Sequence, residues 1–212
     1  MHIQWCGQSC FKLQTKDTIA VINPFDKSSG LTPLRTRADI ALISNSNPEN
    51  NNTSTLKEDP FVIDGPGEYE RMGVVIKGIS SYQDGKEGTI KGANTIYIIN
   101  IEGIKICHLG DLGHALSPKQ IERINGVDIL LAPVGEKYIS VDKVTNIISE
   151  IEPRMIIPMY YQVPKVKEKL ASVDKFLKEM GTKQEKVLPK LVIKKKNLPT
   201  EETSIQILSH SR

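Results

Sequence analysis

Glu49, Asp84, His108 and Asp111 are the side chains of this sequence whose types suit acid–base or hydrolytic chemistry. Carboxylates and imidazole can exchange a proton during bond cleavage, or hold a metal ion that activates water. These four are dispersed along the chain, and their spacing alone defines no reaction. The loop around Glu49, from Ser44 to Asn52, reads Ser-Asn-Ser-Asn-Pro-Glu-Asn-Asn-Asn. It presents amides and a single carboxylate where catalysis would want several titratable groups. Asp111 sits in His108-Leu109-Gly110-Asp111-Leu112-Gly113-His114, a glycine-flanked acid. Cys6, Cys10 and Cys107 form no metal-binding pair at two-residue spacing, and their odd number argues against a disulfide framework, so they read as reduced, small apolar residues.

The elements that must position these groups follow from periodicity. Ile40 to Ile43 is a short apolar run that reads as a buried strand, and a loop leaving the carboxyl end of such a strand faces a pocket. Before it, His2 to Trp5, Cys10 to Leu13 and Thr18 to Ile22 read as a meander. After it, Phe61 to Ile63 is a strand running into Asp64-Gly65-Pro66-Gly67-Glu68-Tyr69-Glu70, a tight backbone whose turn Glu68 and Tyr69 would hold. Val74 to Ile79 is a strand and Ser80 to Ala93 a polar loop carrying Asp84. Asn94 to Asn100 and Ile104 to Cys107 form a hairpin about Glu102-Gly103.

Beyond His114 the pattern alternates. Ser117 caps a helix with Pro118 at its first position. Strands at Val127 to Pro133 and Arg154 to Met159 flank a helix from Val141 to Ile151. The spacing predicts a further helix from Val166 to Met180, ended by Gly181, then closing strands at Leu191 to Ile193 and Ile205 to Leu208. Strands first, then strands interleaved with helices, point to an α/β or α+β sandwich.

A chain of 212 residues with 39% hydrophobic content can bury a substantial core, which makes one domain, or one domain with an appendage, the simplest organisation. No window of eighteen apolar residues exists and the amino terminus lacks signal-peptide character, so the expectation is a soluble, cytoplasmic protein with no membrane partner. The net charge of +3 conceals an asymmetry. From Lys165 to Lys196, eleven lysines face Glu168, Asp174, Glu179 and Glu185, so this basic segment outweighs an otherwise acidic chain. A nucleic acid or an acidic partner would suit it, although no arginine or aromatic interleaving accompanies the lysines and a solvated face explains them as well.

Several stretches together resemble the metallo-β-lactamase fold hydrolases, in particular a branch carrying a Pro-Gly-Glu-Tyr-Glu loop. The matching pieces are Trp5 to Phe11, Asn23-Pro24-Phe25, Ala38 to Ser44, Gly65 to Glu70, Cys107 to Gly113, Val127 to Gly135 and Ile156 to Tyr161, in the family's order. The resemblance implies a four-layer αββα sandwich over residues 1–212, with the lysine-rich helix and tail beginning at about 165. It also implies a metal site at one edge between the sheets. There the family binds one or two zinc or similar ions through a His-x-His-x-Asp-His loop, a later His, an Asp after Gly and a final His after Pro-Met.

This chain departs from that pattern. Asn45, Asn47 and Asn50 stand at the three His positions of the loop, and Glu49 at its Asp position. Gln83 stands at the later His and Tyr160 at the last one, while Gln8 and Asn23 replace a further His and Asp of the pocket. Asp111 alone is retained. Carboxamides are poor zinc ligands and a phenol is normally protonated near neutral pH. The expectation is therefore no cofactor, and a non-catalytic protein acting in binding of an unidentified ligand or in assembly with a protein partner or further copies of itself. The alternative is a hydrolase acting on phosphoesters, nucleic acid or a small ester or amide. It would use a relocated or single-metal site with zinc or manganese, drawing on Asp111, Glu49, His108 and Asp84. A nucleic-acid binder using the basic segment is a third reading. His108 reads as an interior hydrogen-bonding residue, His114 as a pocket or loop residue, and His2 and His210 as terminal ones.

Overall fold

The computed structural model describes residues 1–48, 50–183 and 186–210. Two sheets form the framework. In the first, the strands run in the order Leu191–Val192, His2–Gly7, Cys10–Gln14, Ile19–Ile22, Ile40–Leu42 and Phe61–Ile63. In the second the order is Ser204–Ile205, Met155–Met159, Ile129–Pro133, Ile104–His108, Ala93–Ile101, Val74–Tyr82 and Gly67–Arg71. The chain thus adopts the α/β sandwich that its resemblance implied.

The local reasons are those of strand and helix chemistry. The first hairpin pairs Trp5 with Phe11 and Ile3 with Leu13, with a shift in register between Trp5 and Gly7. Gly7 there has φ of 109°, which glycine adopts without steric cost. Helix α1 (Pro118–Ile124) opens with a complete capping box: Ser117 Oγ accepts from the Gln120 N–H, and Gln120 Oε1 accepts from the Ser117 N–H at 2.9 Å. Helix α2 (Val141–Ile151) buries Val141, Val144, Ile147, Ile148 and Ile151, the stripe that its sequence spacing predicts.

Two elements differ from the sequence expectation. Helix α3 spans Val173–Glu179 rather than starting at Val166. The backbone N–H groups of Lys167, Leu170 and Ala171 are taken by Ser29 O, Gln162 Oε1 and Gly135 O, at 3.1, 2.9 and 2.9 Å. Val166 and Leu170 are still buried, so their apolar spacing serves docking of an irregular segment instead of a helix face. The closing strand is likewise divided: Ser204–Ile205 extends the second sheet beside Met155, and Ile207–Leu208 pairs with Val187–Leu188. The Pro-Gly-Glu-Tyr-Glu stretch also does more than turn, since Gly67–Arg71 is the edge strand of the second sheet. Tyr69 folds back onto the turn through its hydroxyl, which donates toward Pro66 O at 3.3 Å, while Glu68 pairs with Lys77 on the surface.

What this architecture does for a site is decided by strand direction. Ile19–Ile22, Ile40–Leu42 and Phe61–Ile63 are mutually parallel, as are Ile104–His108, Ile129–Pro133 and Met155–Met159. The segments leaving their carboxyl ends include Asn23, Asn45, Asp111, Lys137 and Tyr160. Buried bonds hold the two sheets in register near those ends. Tyr97 Oη donates to Ile43 O at 2.8 Å and to Ile63 O at 3.1 Å, and the Thr95 N–H donates to Ser44 O at 2.7 Å.

The basic segment is partly committed to this framework. Lys195 and Arg154 both pair with the buried carboxylate of Asp128, at 2.5 and 3.4 Å. No helix among the described residues is long and apolar enough to cross a membrane. All three cysteines are buried, and none forms a disulfide among the described residues.

Gly113 shows how tightly the loops close over this edge, because a Cβ there would meet the backbone of Gln83 and Asp84. Gly113→Ala should lower stability by roughly 1–3 kcal/mol in urea denaturation, as overpacked sites do. Gly85→Ala, which would point into open space, should stay within about 0.5 kcal/mol of the parent. Equal stabilities for the two variants would contradict this packing.

Candidate functional site

Asp111 is wholly buried, and its surroundings explain the rest of the site. Its Oδ2 accepts from Asn50 Nδ2 at 2.7 Å, and its own N–H donates to Asn94 Oδ1 at 2.9 Å. Oδ1 has no partner at hydrogen-bonding geometry. Burial raises the carboxyl to about 6, against the opposing influence of the Lys137 charge and of the side chains of Tyr138, Asn45 and Asn47. Of the groups that oppose burial, the Lys137 ammonium comes first and the neutral donors Tyr138, Asn45 and Asn47 follow.

The loop positions expected from the sequence do converge. Asn50 Oδ1 accepts from Ser9 Oγ at 3.2 Å, and Ser9 Oγ in turn accepts from Asn23 Nδ2 at 3.0 Å. Asn23 also donates to Ser44 Oγ at 2.8 Å and accepts from the Ser44 N–H at 2.9 Å. Asn45 Nδ2 donates to the same Ser44 hydroxyl, while Asn45 Oδ1 accepts from the Asn47 N–H. Asn47 Nδ2 reaches Gln83 Oε1 at 2.9 Å and the Tyr138 hydroxyl at 3.2 Å. Gln83 then donates to Ala93 O. The result is a continuous carboxamide and hydroxyl network in which buried polar groups satisfy one another. Gln8 is buried with Oε1 unpartnered, and its carbonyl accepts from Trp5 Nε1 and from the Tyr160 N–H.

The remaining acid–base candidates have other commitments. His108 is fully buried, with Nε2 2.8 Å from Ser9 O and Nδ1 accepting from the Gly110 N–H at 3.0 Å. That pattern specifies the neutral tautomer with hydrogen on Nε2, and burial pushes the imidazolium down to about 4. Asp84 accepts from the N–H groups of Lys86, Gly88, Ile90 and Lys91, a loop-building role. These bonds, that from Lys91 foremost, hold its carboxyl below the usual range. His114 Nε2 accepts from the Tyr82 N–H. Glu49 lies outside the described residues.

Sequence reasoning did not single out Lys137, Tyr138 or Glu168. Lys137 Nζ donates to Tyr160 Oη at 3.0 Å, pairs with Glu168 Oε2 at 2.8 Å and lies about 5 Å from the ring centres of Tyr138 and Tyr160. The available signal was the position of Gly135-Glu136-Lys137-Tyr138 just beyond a buried parallel strand, where chemistry tends to collect.

The residues at the inherited metal position do not fit zinc. They offer one carboxylate, several carboxamides and a phenol, with an ammonium beside the phenol. Among the described residues no group of three or more His, Cys, Asp or Glu could hold a metal ion.

Comparison with known proteins bears on the scaffold directly. A family model described as the beta-lactamase superfamily domain matches residues 2–160. A UPF0173 metal-dependent hydrolase of Lysinibacillus sphaericus is 22% identical over 193 residues, covering 76% of this chain and 85% of that protein. The crystal structure of a candidate Zn-dependent hydrolase of the metallo-β-lactamase superfamily from Thermotoga maritima superposes with a TM-score of 0.79. It is 32% identical and covers 99% of this chain and 100% of that one. A candidate metal-dependent hydrolase from Parabacteroides distasonis shares the fold at a TM-score of 0.63 and 17% identity, covering 85% and 89% of the two chains. These names overturn the expectation that no cofactor belongs to such a chain, because the relatives are metal-dependent hydrolases. Hydrolysis is the activity in those relatives' names, while among the described residues of this chain no donor set is arranged for zinc.

The two perturbed groups make opposite contributions to stability as pH changes. Asp111 binds more protons folded than unfolded between about 3.8 and 6, so its burial costs stability as pH rises through that window. His108 binds fewer protons folded between about 4 and 6.5, so it costs stability as pH falls. Asp111→Asn should therefore gain up to about 3 kcal/mol at pH 7. It should also uncover a steady loss of stability on acidification that urea denaturation across pH 4 to 7 would register. Parallel pH profiles for the parent and the variant would contradict this assignment.

Proposed function

This chain belongs to the beta-lactamase superfamily domain family, and from that premise we propose that its edge site binds a polar ligand or partner without the family's hydrolytic chemistry. The observation that carries the reading is the network itself. At the five positions where the family resemblance places imidazoles, Asn45, Asn47, Asn50, Gln83 and Tyr160 bond to neighbouring side chains and backbone. A network of this kind spends its donors on holding its own members.

Hydrolysis is the second reading, favoured by the relatives' names and by one local observation. Asp111 carries an unpartnered Oδ1 and a carboxyl near 6, values that suit a general base, with Lys137 and Tyr160 nearby to stabilise a developing oxyanion. The two readings separate in a hydrolysis assay. Purified protein would be offered p-nitrophenyl acetate, p-nitrophenyl phosphate and bis(p-nitrophenyl) phosphate, with and without added zinc or manganese. The first reading expects rates equal to those of Asp111→Ala. Turnover that this substitution lowers by about 100-fold or more would replace it with the second.

A further inference from the structure

Lys137, Tyr160 and Glu168 form a compact constellation on the solvent side of the carboxamide network. We propose that Lys137 and Tyr160 are a receiving site for an oxyanion, a carboxylate or phosphate group. Glu168 is then the chain's own occupant, displaced when such a ligand enters. This inference rests on the reading of the edge as a ligand site and names the ligand's chemical class.

One oxygen of Glu168, Oε2, takes both donors, lying 2.8 Å from Lys137 Nζ and 3.2 Å from Tyr160 Oη. An ammonium and a phenol converging on one oxygen is how a bound oxyanion is gripped, with charge-assisted bonds supplying the strength. The receiving half is fixed. Tyr160 is 2% exposed, its backbone holds a φ of 54° and its N–H bonds to Gln8 O. Lys137 is steadied against the rings of Tyr138 and Tyr160.

The occupying half is built differently. Glu168 belongs to the irregular segment between Met155–Met159 and helix α3, tied to other loops by the N–H groups of Lys167 and Ala171 and within itself by that of Leu170, which bonds Gln162 Oε1. The side chains of Lys137 and Glu168 are 23% and 31% exposed, so an anion from solvent can compete without unfolding the site. An ion pair this open is weak, which makes exchange feasible. The field favours entry. Lys165, Lys167 and Lys169 flank Glu168 in the chain, and exposed Lys91 reaches the carbonyl of Lys137 at 3.0 Å and lies over the Tyr138 ring. Asp111 also draws on the Lys137 charge, so an ammonium here already serves carboxylates.

The experiment uses the full chain with inorganic phosphate, acetate and, as a neutral hydrogen-bonding probe, acetamide, each followed by NMR of the assigned backbone amides. Phosphate and acetate should shift the signals of Lys137, Tyr138 and Tyr160. Glu168→Gln should bind both about tenfold more tightly than the parent, and Lys137→Met should bind at least tenfold more weakly than Glu168→Gln. Tyr160→Phe, which keeps the ring, should weaken binding and guards against a folding defect in Lys137→Met. Unchanged affinity in Glu168→Gln would overturn the proposal, as would phosphate shifts that persist in Lys137→Met through adventitious contact with other lysines. If the network's amides respond to acetamide while neither anion acts through Lys137, this inference fails and the ligand-site reading survives. Silence toward all three probes would remove both.

Discussion

A buried carboxylate has to be compensated, and the way Asp111 is compensated organises the edge of this sandwich. Desolvation of an unpaired charge is costly enough that the group either takes up a proton or recruits donors. Asp111 does some of each: its carboxyl is raised to about 6, and Asn50 donates to it at 2.7 Å. Asn50 is in turn oriented by Ser9, Ser9 by Asn23, and Asn23 by Ser44. The chain of orientation therefore runs from the first sheet to the acid on the second, and each carboxamide serves as donor and acceptor at once. Lys137 places a positive charge beside this network, where it acts on Asp111 and pairs with the outer carboxylate of Glu168.

The scaffold supplies the meeting place. Two sets of three parallel strands end at one edge, so residues far apart in sequence meet there without a long loop of their own. His108 belongs to the support of this meeting place, since its ring ties the end of its strand to the Ser9 carbonyl and to the Gly110 N–H. Relatives named as metal-dependent hydrolases share the scaffold. Exchanging imidazoles for amides and a phenol keeps hydrogen-bonding capacity while removing the preference for soft or borderline cations.

Much of this was legible in the sequence, for identifiable reasons. Helix α2 has five apolar residues at helical spacing, and its bounds agree with the expectation. The spacing from Val166 suits a helix equally well, but Ser29, Gly135 and Gln162 claim its N–H groups, and partners such as Ser29 and Gly135, distant in sequence, leave no trace in local periodicity. The resemblance brought Asn45, Asn47, Asn50, Gln83, Asp111 and Tyr160 to one place, and they do converge. It could not reveal Lys137, Tyr138 and Glu168, whose roles depend on where one loop lies over another. The expectation of no cofactor came from donor chemistry alone and was corrected by the relatives' names, a reminder that the residues of one chain and the habit of its family are separate observations.

The central claim is that burial, opposed by the Lys137 charge and by the side chains of Tyr138, Asn45 and Asn47, sets the state of Asp111. Carbon-13 NMR of the Asp111 side-chain carboxyl, followed through a pH titration of the intact protein, reads that state directly. A midpoint near 6 is the result expected from this environment. A midpoint at or below the ordinary 3.8 would contradict it, because the groups around the carboxyl would then outweigh its burial.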